Sequence, residues 1–110
     1  MYLIQHPELP AVKVGVSGKR EKGTRKGRYG RLEIHQGRGW TVHGMWEFSA
    51  GAHAEEIEST VLAWWREDLG APIALSADQI PQRGETETAW LADVDIDETV
   101  AFIDRLVAAD

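Results

Sequence analysis

The sequence contains no cysteine, which excludes disulfide bonds, thiolate metal sites and a cysteine nucleophile. No apolar run approaches the roughly 20 residues that a membrane-spanning helix needs. The N-terminal residues show no basic segment followed by a long apolar stretch, so no signal peptide is expected. The 110 residues match the size of one domain, and neither a repeat nor a linker divides residues 1–110. Together these absences favour a single-domain cytoplasmic protein with no membrane partner.

Charge is divided unevenly along the chain, although the net charge is -6. Residues 1–43 contain nine basic and three acidic residues, whereas residues 44–110 contain three basic and fifteen acidic residues. Such an asymmetry indicates an anionic partner for the basic half. The alternative is a protein with two oppositely charged faces that attract each other.

The basic charge is concentrated in residues 18–28, which hold three glycines and six cations. This composition excludes a core segment and predicts a basic loop. Contacts to a phosphate backbone need charge and reach, so such a loop suits nucleic acid. A solvated loop without a ligand is the alternative. The six cations are Lys19, Arg20, Lys22, Arg25, Lys26 and Arg28.

Two short apolar segments, residues 1–4 and 12–17, predict strands joined by a turn that prolines bound. Pairing them as a hairpin brings Tyr2 and Lys13 near each other, because side chains two residues apart share a face. Gly15 interrupts the second strand, as glycines do where a ligand or another backbone comes close. A phenol, an ammonium group and exposed glycine backbone at the end of a strand are typical of part of a functional site.

A short helix over residues 29–36 is predicted next, ended by the following glycines. Arg31 and His35 are four residues apart, so they share one face of that helix. Residues 40–48 then predict a third strand, in which Gly44 indicates a bulge.

The longest helix is predicted over residues 52–69, where an apolar stripe recurs at helical spacing. Glu58 borders that stripe, while Glu55 is expected to face solvent. Favourable interaction with the helix dipole is the alternative explanation for these acidic residues. Residues 89–91 predict a short strand or an extended arm. A capping box at Asp95 opens a last helix that ends near residue 108.

The order of these motifs resembles the GIY-YIG nuclease superfamily. The likeness consists of Tyr2, the Lys13-Val14-Gly15 triplet, Arg31 on a helix, and Ala54-x-x-x-Glu58 on the next long helix. It is greatest for the small phage and bacterial branch that has lysine in place of the second-motif tyrosine. The resemblance implies an α/β (α+β) fold, with a small three-stranded antiparallel sheet flanked by helices. It also implies metal-dependent hydrolysis of phosphodiester bonds, most often in double-stranded DNA.

The resemblance assigns roles to three residues of the first half. Tyr2 corresponds to the first-motif tyrosine, the general base for the attacking water. Lys13 stands where the second tyrosine is expected, and its charge would favour the phenolate of Tyr2. Arg31 corresponds to the arginine that neutralises the scissile phosphate.

Three further residues complete the expected catalytic set. His35 matches a histidine that some branches carry one turn after the arginine. Glu58 matches the glutamate that holds one Mg²⁺ or Mn²⁺ ion. The family usually carries a late asparagine that braces the site, and Glu87 is the candidate for its place. Met1 stands where the first motif opens with glycine.

Structural roles offer an alternative for each residue. Tyr2 would be a core aromatic, Lys13 an edge-strand charge that discourages aggregation, and Arg31 a carboxylate partner. His35 would make ordinary hydrogen bonds, and Glu87 would lie on the polar surface.

Two alternative functions follow from those structural roles. One is a weak or inactive member of the fold that binds nucleic acid. The other is a protein-interaction domain with exposed Trp40 and Trp90 as contacts. For the nuclease itself, sequence specificity would come from the basic loop, a homodimer or a larger partner protein.

Overall fold

The computed structural model describes residues 1–16 and 30–109, and of Arg31 it describes the backbone. Four strands and three α-helices are formed within these residues. The strands are β1 (Tyr2–His6), β2 (Ala11–Gly15), β3 (Thr41–Met45) and β4 (Thr88–Trp90). The helices are α1 (Gly30–Gln36), α2 (Gly51–Ala63) and α3 (Ile96–Ala108).

The strands form one antiparallel sheet in the order β3-β1-β2-β4, which confirms the expected α+β class. The predicted sheet had three strands, and the described sheet has four because β4 pairs with β2. In the β1–β2 hairpin, Tyr2 pairs with Gly15 and Ile4 pairs with Lys13. The hairpin therefore occupies the centre of the sheet, and β3 and β4 form its edges.

Side chains of the central hairpin alternate between two apolar clusters, one on each face of the sheet. Leu3, Val12 and Val14 pack with α2, α3 and the turn after α2. Tyr2 and Ile4 pack on the other face with residues of α1 and of the connection that precedes β4. Both central strands are therefore covered on both faces, which explains their nearly continuous apolar sequence.

Local irregularities lie close to their predicted positions. The register of β1 and β3 shifts between Leu3 and Ile4, which pair with Gly44 and Val42, so His43 is the additional residue. The bulge is thus adjacent to the predicted glycine. A hydrogen bond of 2.9 Å from the Glu98 amide to Asp95 Oδ1 caps α3 as predicted.

The segment predicted as one helix, residues 52–69, forms two elements in the structure. α2 ends at Ala63, and one π-helical turn spans Trp64–Asp68. Trp65 in this turn is fully buried, and its indole nitrogen is 3.2 Å from Thr99 Oγ1. No described helix is long and apolar enough to cross a membrane.

Candidate active site

Lys13 is the most deeply buried charged side chain of the predicted set, at 1% exposure. It lies on β2 between Val12 and Val14, so it projects from the sheet face that carries Tyr2. Its Nζ is 2.6 Å from Glu87 Oε1 and 5.4 Å from the centroid of the Tyr2 ring. The predicted proximity of Tyr2 and Lys13 is confirmed.

This ion pair overturns two of the structural alternatives. Lys13 is not an edge-strand charge, because β2 lies between β1 and β4. Glu87 is not simply a surface group, because it is 28% exposed and bonded to a buried ammonium. A charge is rarely this buried unless it is paired, and Glu87 supplies an opposite charge for Lys13 in the core.

Two glycines let the backbone lie against these side chains. A Cβ at Gly15 would overlap the Tyr2 phenol, and a Cβ at Gly84 would overlap Lys13 Cε. Gly84 also has a φ of +107°, which side-chain-bearing residues rarely adopt. At Gly15 the group that comes close is the Tyr2 side chain, and not the ligand or second backbone that the sequence led us to expect.

Glu58 brings a second carboxyl group to Glu87 from α2. Burial raises the Glu58 pKa from 4.5 to about 8, helped by the charge of Glu87 and a hydrogen bond with it, and opposed by Lys13. Glu58 Oε2 is buried and has no hydrogen-bond partner within residues 1–16 and 30–109. A buried oxygen without a partner is costly, which suits a position that takes a proton or a cation.

His35 reaches the same region from α1 and is fully buried. Its ring centroid is 6.0 Å from that of Tyr2 and 6.2 Å from that of Trp40. Its Nδ1 is 3.1 Å from Gln82 Nε2. Trp40 is 3% exposed, so the prediction that it forms an exposed protein contact is wrong, and Trp90 is half-buried. Trp40 instead packs in the core beside His35.

The structure thus brings together Tyr2, Lys13, His35, Glu58 and Glu87, which come from five separate segments. Arg31 belongs to α1, one turn before His35, and its side chain lies outside the described part. The predicted DNA-contacting cations also lie outside the described residues; they are Lys19, Arg20, Lys22, Arg25, Lys26 and Arg28.

Three residues that support this cluster were not predicted from the sequence. Gln82 contacts His35, and Gly84 lies on Lys13. Arg66 Nη2 donates to the carbonyl oxygens that flank Glu87, at 2.9 Å for Thr86 and 2.7 Å for Thr88. Gly84, just before Glu85, was the signal in the sequence for a turn there.

The carboxyl groups of this cluster are of the kind that divalent cations prefer as ligands. Among the described side chains, no group of three or more His, Asp and Glu could hold a metal ion unaided. Mg²⁺ is commonly held by one or two carboxylates, with water and phosphate oxygens completing its shell. Glu58, with its unpartnered oxygen, and the adjacent Glu87 provide that donor set.

Comparison with known proteins gives no assignment: no protein-family model, curated protein or solved structure matches the chain. Function is therefore inferred from the geometry and chemistry of the cluster.

Proposed function

We propose that this protein is a divalent-cation-dependent endonuclease of the GIY-YIG type that hydrolyses phosphodiester bonds in double-stranded DNA. The observation that carries the proposal is Glu58, a carboxyl group with a buried oxygen that lacks a described partner. It lies beside Glu87, which in turn bonds Lys13 next to Tyr2. Two carboxyl groups can hold a divalent cation, and a phenol beside an ammonium group can serve as a base, so these groups can be cast in the roles of this reaction.

Glu58 and Glu87 are the residues that would hold Mg²⁺ or Mn²⁺. The ion would neutralise charge on the phosphate and stabilise the leaving oxygen. Binding would require the ionised carboxylate, so Glu58 would release to solvent the proton that burial and Glu87 favour. The charge of Glu87, which favours a proton at Glu58, would also favour a cation there, whereas burial opposes the ionised form that a cation needs.

Tyr2 is the proposed general base. A phenol has an ordinary pKa near 10, so it needs help to accept a proton at neutral pH. The Lys13 ammonium, 5.4 Å from the ring centroid, supplies a positive charge that favours the phenolate. Burial of the phenol beneath Gly15 fixes its position relative to Lys13.

DNA binding is assigned to the cations in residues 18–28, with Arg31 as the phosphate ligand. The acidic second half repels DNA, so binding depends on this basic segment and weakens as salt rises. Sequence selectivity would come from that segment, a second copy or a partner protein, acting in the cytoplasm.

Nicking of supercoiled plasmid in Mg²⁺ or Mn²⁺, with EDTA as the blank, tests the proposal. Glu58→Gln is expected to lower the cleavage rate at least about 100-fold, the upper range for loss of support at a metal site. Glu56→Gln is the matched control, because Glu56 is exposed on the same helix. Equal cleavage by wild type and Glu58→Gln, or none by either, would overturn the assignment.

A DNA-binding protein without catalysis is the second candidate. One observation favours it. With a pKa of about 8 the Glu58 carboxyl group is neutral at pH 7, and Glu87 is paired with Lys13, so the cluster needs no metal ion. Salt-sensitive binding of duplex DNA, with no nicking in either metal, is the result that this candidate predicts.

A further inference from the structure

Arg66 is the side chain that ties the π-helical turn to the segment carrying Glu87. Its Nη1 donates to the carbonyl oxygen of Ala71 at 3.0 Å, and its Nη2 donates to those of Thr86 and Thr88 at 2.9 and 2.7 Å. A guanidinium group only donates and a carbonyl oxygen only accepts, so the direction of all three bonds is fixed. One side chain thus holds the backbone immediately before and immediately after Glu87.

The described bonds of Arg66 go to neutral groups. Neither ion pair among the described residues includes Arg66, and burial lowers its pKa from the ordinary value. A half-buried guanidinium without a carboxylate partner in the described part of the chain carries its charge at a desolvation cost. Its donors are held in a rigid planar fork, and this geometry suits Arg66 to bridge several carbonyl oxygens.

Glu87 lies where strand pairing no longer fixes the backbone. Thr88 is the first residue of β4 and pairs with Lys13, so Glu87 precedes the paired residues. The Glu87 amide donates to the Gly84 carbonyl at 3.0 Å, and the Thr88 hydroxyl donates to the Glu85 carbonyl at 2.7 Å. These bonds fix the shape of the turn, whereas Arg66 ties the turn to the element that follows α2.

We propose that Arg66 is a positioning residue of the proposed cation site. Its fork holds the backbone on both sides of Glu87, so that the Glu87 carboxyl group faces both Lys13 and Glu58. Arg66 acts through Glu87 and is not itself a ligand of the cation. Its part in catalysis rests on the proposed nuclease function, whereas its effect on the two carboxyl groups does not.

Titration of the glutamate carboxyl carbons by ¹³C NMR, without metal or DNA, tests this role. The Glu58 signal is assigned by its loss in Glu58→Gln. Arg66→Lys keeps a positive charge but replaces the fork by one ammonium group, so Glu87 should turn away from Glu58. Without the neighbouring carboxylate, the Glu58 midpoint should fall from about 8 by about one pH unit or more. Arg105→Lys, exposed on α3, is the matched control and should keep the wild-type midpoint.

A double variant shows whether Arg66 acts through Glu87. Glu87→Gln alone should also lower the Glu58 midpoint, and adding Arg66→Lys should lower it no further. General loosening of the fold would lower it further, because burial is the largest cause of the raised Glu58 pKa. The indole signal of Trp65, buried in the same turn, shows that each variant is folded. An unchanged midpoint in Arg66→Lys, or a further fall in the double variant, would overturn the proposal.

The wild type supplies a measurement that does not depend on the folding of a variant. Bonds to three carbonyl oxygens should block rotation of the Arg66 guanidinium group, so ¹⁵N-labelled protein should give separate Nη1 and Nη2 signals for this residue. A single averaged signal would contradict the proposed fork. None of these spectra requires DNA cleavage, so failure of the nicking assay and failure of this inference are distinguishable.

Discussion

Glu58 lies in an environment that favours its protonated form. It lies in the second turn of α2, with Ile57 buried beside it and Glu55 exposed. Its position at the border of the apolar stripe was readable from the sequence. Its contact with Glu87 was not, because 29 positions separate the two residues and tertiary contacts, among them the pairing of β4 with β2, bring them together.

The raised pKa of Glu58 makes stability depend on pH. Unfolded, the carboxyl group titrates near 4.5, and folded, near 8, so the folded state holds the additional proton between these values. The free energy of unfolding should therefore fall as pH rises from about 5 to about 8. Glu58→Gln cannot titrate, and its melting temperature should fall less over that range.

Magnesium should oppose this loss, because it binds the ionised carboxylate of the folded state. Thermal melts at pH 5, 6.5 and 8, with and without Mg²⁺, measure both effects. A wild-type pH profile parallel to that of Glu58→Gln would contradict the assignment of the shift to Glu58.

Lys13 and Glu87 should be energetically coupled. Lys13→Met leaves Glu87 facing Glu58 without a neighbouring ammonium, and Glu87→Gln removes the charge that compensates buried Lys13. Each single change should cost about 1–3 kcal/mol in the free energy of unfolding. The double variant should lose less than the sum of the two, by about 1 kcal/mol or more. Urea denaturation of the four proteins measures this, and simple additivity would argue against the pair.

At the scale of elements, the connection before β4 contributes most to the site and was the least predictable. The Ser76 amide in this connection donates a 3.0 Å hydrogen bond to Gln79 Oε1 and so holds one local turn. Nothing in the sequence, however, specifies that the following turn lies on Lys13. That placement depends on Arg66, which ties the π-helical turn to the backbone on both sides of Glu87.

Gly84→Ala tests how tightly this connection is packed on Lys13. The new methyl group would overlap Lys13 Cε and would be strained at a φ of +107°. We expect a loss of about 1–3 kcal/mol in the free energy of unfolding. Gly51→Ala is the matched control, because a Cβ there meets nothing within 4 Å at the start of a helix, and it should be neutral or stabilising. Equal effects of the two substitutions would contradict this packing.

The strands, helices and caps with strong local signals were predicted well. The β1–β2 hairpin, the α3 cap and the short α1 follow from apolar alternation, a capping box and glycine stops. The π-helical turn was missed because it keeps the burial of Trp65 that an α-helix would give. β4 was left open between a strand and an arm, since three residues carry little periodicity.

At the scale of the whole molecule, both faces of the central sheet are covered by other elements. This covering determines which polar side chains are buried and belong to the site. Sequence patterns do not show that helices cover one face of the sheet while α1 and a long connection cover the other. Lys13 was therefore open to interpretation as an edge charge, and Trp40 as an exposed contact. Five segments that are distant in the sequence converge because of the topology of the chain. The order of the motifs was the sequence feature that pointed to this convergence.

Glu58 as the cation ligand is tested most directly by Mn²⁺ titration followed by electron paramagnetic resonance. The wild type and Glu56→Gln should each bind one ion per chain with the same affinity. Glu58→Gln should bind at least about tenfold more weakly, as expected when support for a metal site is removed. If Glu58→Gln binds Mn²⁺ as the wild type does, the cation is held elsewhere, and the cluster around Glu58 is not its site.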